Sequence, residues 1–167
     1  MGRRRGWRGW RCWGCSDRVH VSRPAKPRSA GSSASLPSVI LASGCFDGLH
    51  AGHVRYLQRA RAIDPTQTLK VAIAPDTYIR FVKRREPFWP QADRAATVFA
   101  LGCVDDVILQ VEDSVAATIR AQHPRWFVKG PDWKGLLMPD ILEACQVVGC
   151  EIAFTETQGR HTREARG

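Results

Sequence analysis

The sequence contains no long hydrophobic run. No stretch approaches the roughly 18 consecutive apolar residues of a membrane span, so we expect no membrane-spanning helix. No apolar segment follows the first arginines, which argues against a secretory signal peptide. Cys12 and Cys15 form a Cys-x-x-Cys pair, but no second pair stands at zinc-finger spacing, so we predict no metal site there. The other cysteines stand in contexts typical of reduced thiols, and this favours a cytoplasmic protein.

Acidic residues are scarce in the first 37 positions, where Asp17 stands alone against nine arginines and lysines. The rest of the chain is close to neutral, although the whole protein carries a formal net charge of +9. Residues 1–37 are rich in Gly, Ser and Pro without apolar periodicity, so we predict a disordered extension and a native N-terminus near Ser38. Arginines interleaved with tryptophans could alternatively bind single-stranded nucleic acid by charge and stacking. We favour the non-functional extension over nucleic-acid binding.

Residues 38–167 alternate short apolar runs with longer amphipathic ones. Hydrophobic residues make up 44% and charged residues 25% of the chain, which is a globular composition that suits one α/β domain. The predicted strands are Ser38–Ala42, Leu69–Ala74, Asp106–Leu109, Arg125–Val128 and Cys150–Phe154. The predicted helices are Gly52–Ile63, Gln91–Leu101, Ser114–Ala121 with Ser114 as N-cap, and Pro139–Val148. This alternation implies parallel βαβ units, so we predict one domain with a Rossmann-like, doubly wound sheet of five parallel strands.

The segment after the first predicted strand carries the most informative residues. Gly44 and Gly48 allow a tight loop there. His50 and His53 are three positions apart at the start of the next helix, so their side chains share a face. A helix N-terminus offers free N–H groups and a positive dipole end, which suits a phosphate. Two histidines at this spacing could instead ligate a metal, with no third ligand evident nearby, or be purely structural.

Residues Gly44–His53 read G-C-F-D-G-L-H-A-G-H, which resembles the G-x-F-D-x-x-H-x-G-H motif of the cytidylyltransferase-like nucleotidyltransferases. Within that superfamily the chain is similar to the glycerol-3-phosphate cytidylyltransferases and to the nucleotidyltransferase domain of the bacterial heptose-phosphate enzymes. The segment Val128–Gly135 resembles both groups. Its D-W-x-G letters are similar to the glycerol-3-phosphate cytidylyltransferases, and its V-K-G letters are similar to the heptose-phosphate enzymes. The resemblance covers residues 38–162 and implies the nucleotidyltransferase (HUP) type of Rossmann-like fold.

Members of this family transfer a nucleoside monophosphate from a nucleoside triphosphate to an acceptor phosphate and release pyrophosphate. The resemblance therefore implies an enzyme that uses CTP or ATP, a choice that the sequence leaves open. It implies a small phosphorylated alcohol or a sugar phosphate as the acceptor. It also implies Mg²⁺ as the cofactor that accompanies the triphosphate, and a homodimer as the assembly.

The resemblance assigns roles to particular side chains of this sequence. The implied catalytic residues are His50, His53 and Lys83, with Arg80 and Arg85 as supporting cations. The implied nucleotide-binding residues are Gly44, Cys45, Phe46, Asp47, Gly52, Arg94, Gly130, Asp132 and Thr162. Among these, Asp47 is expected to brace its loop and Arg94 to face the substrates.

The last segment departs from the family pattern. The family ends the fifth strand with R-T-x-G-I-S-T/S-T, where a helix N-terminus meets the nucleotide, but residues 156–163 here read E-T-Q-G-R-H-T-R. Thr157, Gly159 and Thr162 match the pattern, whereas Glu156 replaces the phosphate-facing arginine. A nucleotide-binding protein of the same fold with lost or weak catalysis is therefore the alternative to an active enzyme.

Overall fold

The computed structural model describes residues 38–155. The predicted extension at residues 1–37 lies outside the described residues, as does the segment 156–167 with Thr162. Among the helices of residues 38–155, none is long and apolar enough to cross a membrane.

Five parallel strands of the described residues form one sheet. The strands are β1 (Val39–Gly44), β2 (Thr68–Ile73), β3 (Asp106–Leu109), β4 (Trp126–Lys129) and β5 (Glu151–Phe154). Their order across the sheet is β3-β2-β1-β4-β5, so the chain builds outward from β1 on one side and then continues on its other side. All four pairings are parallel, and this confirms the predicted doubly wound sheet.

Helices occupy the connections between the strands. They are α1 (Ala51–Ile63), α2 (Asp76–Phe81), α3 (Gln91–Phe99), α4 (Ala116–Gln122) and α5 (Pro139–Val148), with a 3₁₀ turn at Pro131–Trp133. The sequence does not predict α2 or the 3₁₀ turn, because such short segments carry little periodicity. Helix α4 begins at Ala116 and not at Ser114, although the Ser114 hydroxyl oxygen accepts a hydrogen bond from the Ala116 N–H (3.1 Å).

The sheet is apolar on both faces, because successive side chains of a strand point to opposite sides. Ile40 and Ala42 of β1 pack in the core beneath α1 and α3, whereas Leu41 between them packs in the core beneath α4 and α5. Phe127 and Val128 of β4 divide in the same way. Helices therefore cover both faces, and the carboxyl ends of the strands are the edge where loops build a site.

A buried tyrosine joins α1 to the junction of β1 and β4. The Tyr56 hydroxyl donates a hydrogen bond to the Val128 carbonyl (2.6 Å) and accepts one from the Ser43 N–H (3.3 Å). Burial raises the pKa of this hydroxyl, so it stays protonated and able to donate. Because β1 and β4 flank the point where the strand order reverses, Tyr56 fixes the first helix at the sheet's switch point.

The Tyr56 hydroxyl can be removed alone by Tyr56→Phe. We expect the free energy of unfolding to fall by about 1–3 kcal/mol, because two buried backbone groups lose this partner. Chemical denaturation measures the loss, and Tyr78→Phe at a half-buried tyrosine is the matched control. Equal stability of the two variants would contradict the role given to the Tyr56 hydroxyl.

Candidate active site

A cleft of about 630 Å³ opens at the carboxyl ends of β1 and β4. Its walls come from the loop after β1, the start of α1, the loops after α2 and β3, and the segment after β4. Most site residues implied by the family resemblance line this cleft: Gly44, Cys45, Phe46, Asp47, His50, Gly52, His53, Lys83, Gly130 and Asp132.

His50 and His53 lie together at the beginning of α1. Their ring centroids are 4.0 Å apart and the ring planes are inclined by 28°, so the two imidazoles stack. His50 is the N-cap residue, and its Nδ1 accepts a hydrogen bond from the Gly52 N–H (3.0 Å). This bond uses the lone pair of Nδ1, so the neutral ring carries its proton on Nε2, where it can be donated to a ligand.

Gly52 has a steric reason to be glycine. A Cβ atom at this position would lie 2.7 Å from Cε1 of His50 and 2.9 Å from its Nδ1. Glycine therefore lets the His50 ring fold back onto the first turn of α1. The positive end of the helix dipole and the two imidazoles consequently face the same cleft.

His53 is positioned by ring contacts. Its ring centroid lies 5.2 Å from that of Phe46, and its buried Nδ1 has no hydrogen-bond partner among residues 38–155. Burial, and to a smaller extent the neighbouring His50, lowers the pKa of His53 to about 4. In the free protein at neutral pH, His53 is therefore a neutral hydrogen-bonding group and not a fixed positive charge.

The loop after β1 holds Phe46 in an uncommon backbone conformation. Its φ of 52° lies in the left-handed region, which residues other than glycine rarely adopt. The ring is buried and packs against Gly44, where an added Cβ would lie 3.0 Å from it. Strain of this kind persists only where the surrounding packing enforces it, and it is concentrated at functional sites. Here it places an aromatic ring next to His53.

The Asp47 side chain is buried, although the residue as a whole is partly exposed, and it braces the wall of the cleft. Its carboxylate accepts hydrogen bonds from the Phe88 N–H (2.9 Å) and the Trp89 N–H (3.1 Å), and it forms an ion pair with Arg85. Burial alone would raise the pKa of Asp47, but these hydrogen bonds outweigh burial and hold it below its usual value. Asp47 thus joins the loop after β1 to the loop before α3, and its charge is used within the protein.

Arg94 lies beneath the cleft and not in it. Its side chain is fully buried; Nη2 donates to the Ala74 carbonyl (2.9 Å) and to the Asp76 carboxylate (2.6 Å). Nε donates to the Trp89 carbonyl (3.0 Å), and Nη1 donates to the Cys45 carbonyl. All three nitrogens of its guanidinium have protein acceptors, and Arg94 is not among the residues that line this cleft, so a contact of Arg94 with the substrates stays a prediction.

The three basic residues that the sequence analysis names after β2 play different roles. Lys83 is exposed on the cleft wall, where its Nζ lies 5.9 Å from the ring centroid of Trp133. Arg85 is neutralised by the ion pair described above, and Arg80 pairs with Glu86 (2.9 Å) away from the cleft lining. Lys83 is therefore the one of these three whose charge stays available to a ligand.

The segment after β4 turns sharply at Gly130. The Asp132 carboxylate folds back over Gly130, and its Oδ1 occupies the space that a Cβ at this position would need. The 3₁₀ turn that follows brings Trp133 to the cleft. Gly130 and Asp132 consequently line one end of the cleft together with the indole ring.

Sequence reasoning missed two cations that line the cleft. Arg55 lies in α1, two positions after His53, and no motif singles it out. Lys129 is the last residue of β4, is buried, and donates a hydrogen bond to the Ser43 Oγ (3.1 Å). The V-K-G letters contain Lys129, so a signal for it was present in the sequence.

The cleft residues fit a magnesium ion that is bound through substrate phosphates. Within residues 38–155, no group of three or more His, Cys, Asp or Glu side chains is arranged to hold a metal ion. Mg²⁺ dehydrates reluctantly, keeps several waters and commonly binds through substrate phosphates. These residues therefore fit a magnesium ion that arrives with a nucleoside triphosphate, and they do not fit a metal centre held by the protein alone.

A family model matches most of the chain, including the residues of this cleft. The family model described as Cytidylyltransferase-like matches residues 41–161. The chain therefore belongs to the cytidylyltransferase-like family, which confirms the resemblance found in the sequence.

Curated relatives give the same assignment. Bifunctional protein HldE from Citrifermentans bemidjiense is 37% identical over 109 residues, which cover 64% of this chain and 22% of that protein. The protein of the same name from Campylobacter curvus is 41% identical over 98 residues, which cover 58% of this chain and 20% of that protein. The chain thus spans about a fifth of the length of these relatives.

Solved structures share the fold. The lipopolysaccharide core biosynthesis protein from Thermoplasma volcanium aligns with a TM-score of 0.63 and 25% identity over 73% of this chain and 98% of that chain. A protein of unknown function from Archaeoglobus fulgidus aligns with a TM-score of 0.55 and 17% identity over 71% of this chain and 89% of that chain. The second likeness concerns the fold alone.

The burial of His53 predicts an unusual titration. We expect its ring to titrate at about pH 4, because burial beside His50 disfavours the charged form. Unfolding restores the ordinary value of 6.5, so the unfolded chain binds more protons between these two values and this residue destabilises the fold as the pH falls through that window. An NMR titration of the ring protons, assigned with His53→Gln, measures the pKa. A midpoint near the ordinary value would contradict the burial of this ring.

Gly52→Ala tests the approach of the His50 ring. The added Cβ should displace the His50 ring and shift the NMR signals of both imidazoles. The helix itself should not be weakened, because alanine stabilises a helix interior by roughly 0.5–1 kcal/mol relative to glycine. Gly102→Ala is the matched control, because its added Cβ meets nothing within 4 Å and should leave both signals unchanged. Unshifted imidazole signals in Gly52→Ala would show that the His50 ring does not fold back onto α1.

Proposed function

We propose that the chain catalyses nucleotidyl transfer. It moves a nucleoside monophosphate from CTP or ATP to a small phosphorylated alcohol or sugar phosphate and releases pyrophosphate. One observation carries this proposal: His50 and His53 stack at the N-terminus of α1 in a cleft that they share with Lys83. Membership of the cytidylyltransferase-like family supports the reaction class.

The reaction needs charge stabilisation and alignment more than it needs a proton donor. An oxygen of the acceptor phosphate forms a bond to the α-phosphorus of the triphosphate. The bond from the α-phosphorus to its bridging oxygen breaks, and the electron pair leaves with pyrophosphate. Negative charge is spread over the phosphoryl oxygens in the transition state, so fixed donors and cations lower its energy.

The cleft residues can supply these interactions. His50 presents its Nε2–H while its Nδ1 is held by the Gly52 N–H, which fixes the direction of donation. His53 is neutral before substrate binds, and a bound triphosphate would favour its charged form and so strengthen the interaction. Lys83 provides a flexible point charge that can reduce the repulsion between two phosphates as they approach each other. Mg²⁺, arriving with the triphosphate, would neutralise further phosphate charge.

The acceptor class is supported by other residues that line the cleft. Gln110 and Asp113 add polar side chains to the lining, and Met138 and Ile141 add apolar ones. Such a lining suits a small molecule that carries hydroxyl groups next to its phosphate. The segment around Gly130 and Asp132 would then border the base and ribose, as the family resemblance implies.

A binding protein without efficient catalysis is the second candidate. The departures of residues 156–163 from the family pattern favour it, since they remove a phosphate-facing arginine. The two candidates differ in turnover and agree in nucleotide binding.

The test is pyrophosphate release by the purified chain with Mg²⁺. CTP and ATP are each combined with glycerol 3-phosphate, heptose 1-phosphate and related phosphates. We expect release with one pair, and we expect His53→Asn to lower the rate by about 100-fold or more, as removal of a transition-state donor does.

His123→Asn is the matched control. His123 is exposed at the C-terminal end of α4, outside the cleft lining, and its left-handed backbone (φ 44°) accepts asparagine. Its turnover should equal that of the unmodified chain. Nucleotide binding without release from any pair would favour the second candidate, and absence of nucleotide binding would contradict both.

A further inference from the structure

Lys129 is a buried lysine on the floor of the cleft. Its residue exposure is 6%, and its Nζ donates hydrogen bonds to the Ser43 Oγ (3.1 Å) and the Ser43 carbonyl (3.4 Å). The ammonium also lies over the Trp133 ring, 4.1 Å from its centroid. Because Ser43 and Lys129 are near the carboxyl ends of neighbouring strands β1 and β4, the charge sits at the switch point of the sheet.

No carboxylate within residues 38–155 forms an ion pair with Lys129. Arg94, the second buried cation in the described part of the chain, has the Asp76 carboxylate as its counter-charge. A hydroxyl, a carbonyl and an aromatic face stabilise an ammonium less than an anion does. Burial accordingly lowers the pKa of Lys129 to about 8. Among the described residues the Asp132 carboxylate favours the charged form of Lys129 without forming an ion pair with it, so the protein compensates this buried charge only in part.

The fold does not explain this charge. An apolar side chain of similar length would fill the same space between Ser43 and Trp133 without the cost of desolvating an ammonium. Lys129 instead opens onto the cleft that holds His50, His53 and Lys83. An anion bound there would supply the missing counter-charge.

We propose that Lys129 binds a substrate phosphate at the switch point, so that the phosphate completes the ion pair that the protein leaves open. This inference rests on the proposed nucleotidyl transfer and adds a residue to its site. The ligand chemistry is a phosphate, which either the triphosphate or the phosphorylated acceptor can bring. Held by Ser43 and the Trp133 face, the ammonium is a fixed point charge, whereas the exposed Lys83 is free to move.

The test compares Lys129→Met with Lys134→Met by calorimetric binding. Lys134 is an exposed lysine of the same segment outside the cleft lining, so it controls for the loss of one positive charge. The probes are pyrophosphate, CTP and ATP with Mg²⁺, and glycerol 3-phosphate. We expect Lys129→Met to lower the affinity for at least one probe by about 30-fold or more, which is the usual cost of truncating one partner of a buried charge pair. Lys134→Met should bind as the unmodified chain does.

The probes whose binding is weakened by Lys129→Met show which substrate's phosphate Lys129 binds. Loss confined to CTP, ATP and pyrophosphate assigns Lys129 to the triphosphate, and loss confined to glycerol 3-phosphate assigns it to the acceptor. Thermal unfolding of Lys129→Met should show a melting temperature no lower than that of the unmodified chain, because a buried ammonium has been removed.

The unmodified chain provides a second readout that needs no variant. Affinity for the probe that Lys129→Met weakens should stay level between about pH 7 and pH 8, where a phosphate monoester has already lost its second proton. Above about pH 8 it should fall toward tenfold per pH unit, as Lys129 loses its proton. The titratable groups that face Lys129 are Cys45 after β1, Lys83 after α2 and Asp132 after β4. Burial raises the pKa of the Cys45 thiol above its ordinary 9.0, so the thiol stays neutral in this range.

The outcomes separate this inference from the proposed function. Equal affinities of Lys129→Met and the unmodified chain for every probe, or a level pH profile, would overturn the role of Lys129 while leaving nucleotide binding intact. Failure of the unmodified chain to bind any probe would overturn the proposed function and this inference together.

Discussion

The site depends on the hydrogen bonds that one buried guanidinium donates. The side chain of Arg94 extends from α3 and donates hydrogen bonds to the carbonyls of Cys45, Ala74 and Trp89 and to the carboxylate of Asp76. These acceptors belong to the loop after β1, the loop after β2, the start of α2 and the segment before α3. A buried cation that lost one of them would keep its desolvation cost without the compensating interaction, so the loops are held in one arrangement. Arg94 thus holds in place the loops that surround the cleft.

The charges around the cleft fall into two groups. Arg85 and Arg94 are neutralised by Asp47 and Asp76 and hold the loops together. The second group consists of Arg55, Lys83 and Lys129, which line the cleft without a protein carboxylate as ion-pair partner among the described residues. The first group makes the walls rigid, and the second gives the cleft the positive potential that a polyphosphate needs. This division explains how a nearly neutral domain can keep three cations available to a ligand in one cleft.

The sequence predicts the fold well because residues close together along the chain determine where the strands and most of the helices lie. All five strands are segments of four to six residues in which most side chains are apolar, and glycine ends α5 at Gly149 with a φ of 70°. The H-x-G-H letters likewise identify the histidine pair, since the steric requirement at Gly52 acts between residues two positions apart. Local chemistry of this kind is readable without a structure.

The roles of Arg94 and Lys129 could not be read in the same way. Arg94 resembles an ordinary helix-surface arginine in sequence, and its burial depends on three loops that are far apart along the chain. Lys129 is the last residue of a short strand, and its importance appears only when β4 pairs with β1 and Ser43 becomes its neighbour. Both roles arise from tertiary contacts that no local pattern records.

The central claim is that the cleft at the carboxyl ends of β1 and β4 is a triphosphate site. The most direct measurement is a crystal structure of the chain with a non-hydrolysable CTP or ATP analogue and Mg²⁺. The account predicts phosphate oxygens within hydrogen-bond distance of His50 and His53 at the first turn of α1, above the Lys129 ammonium. A triphosphate bound elsewhere on the chain, with this cleft holding only solvent, would contradict it.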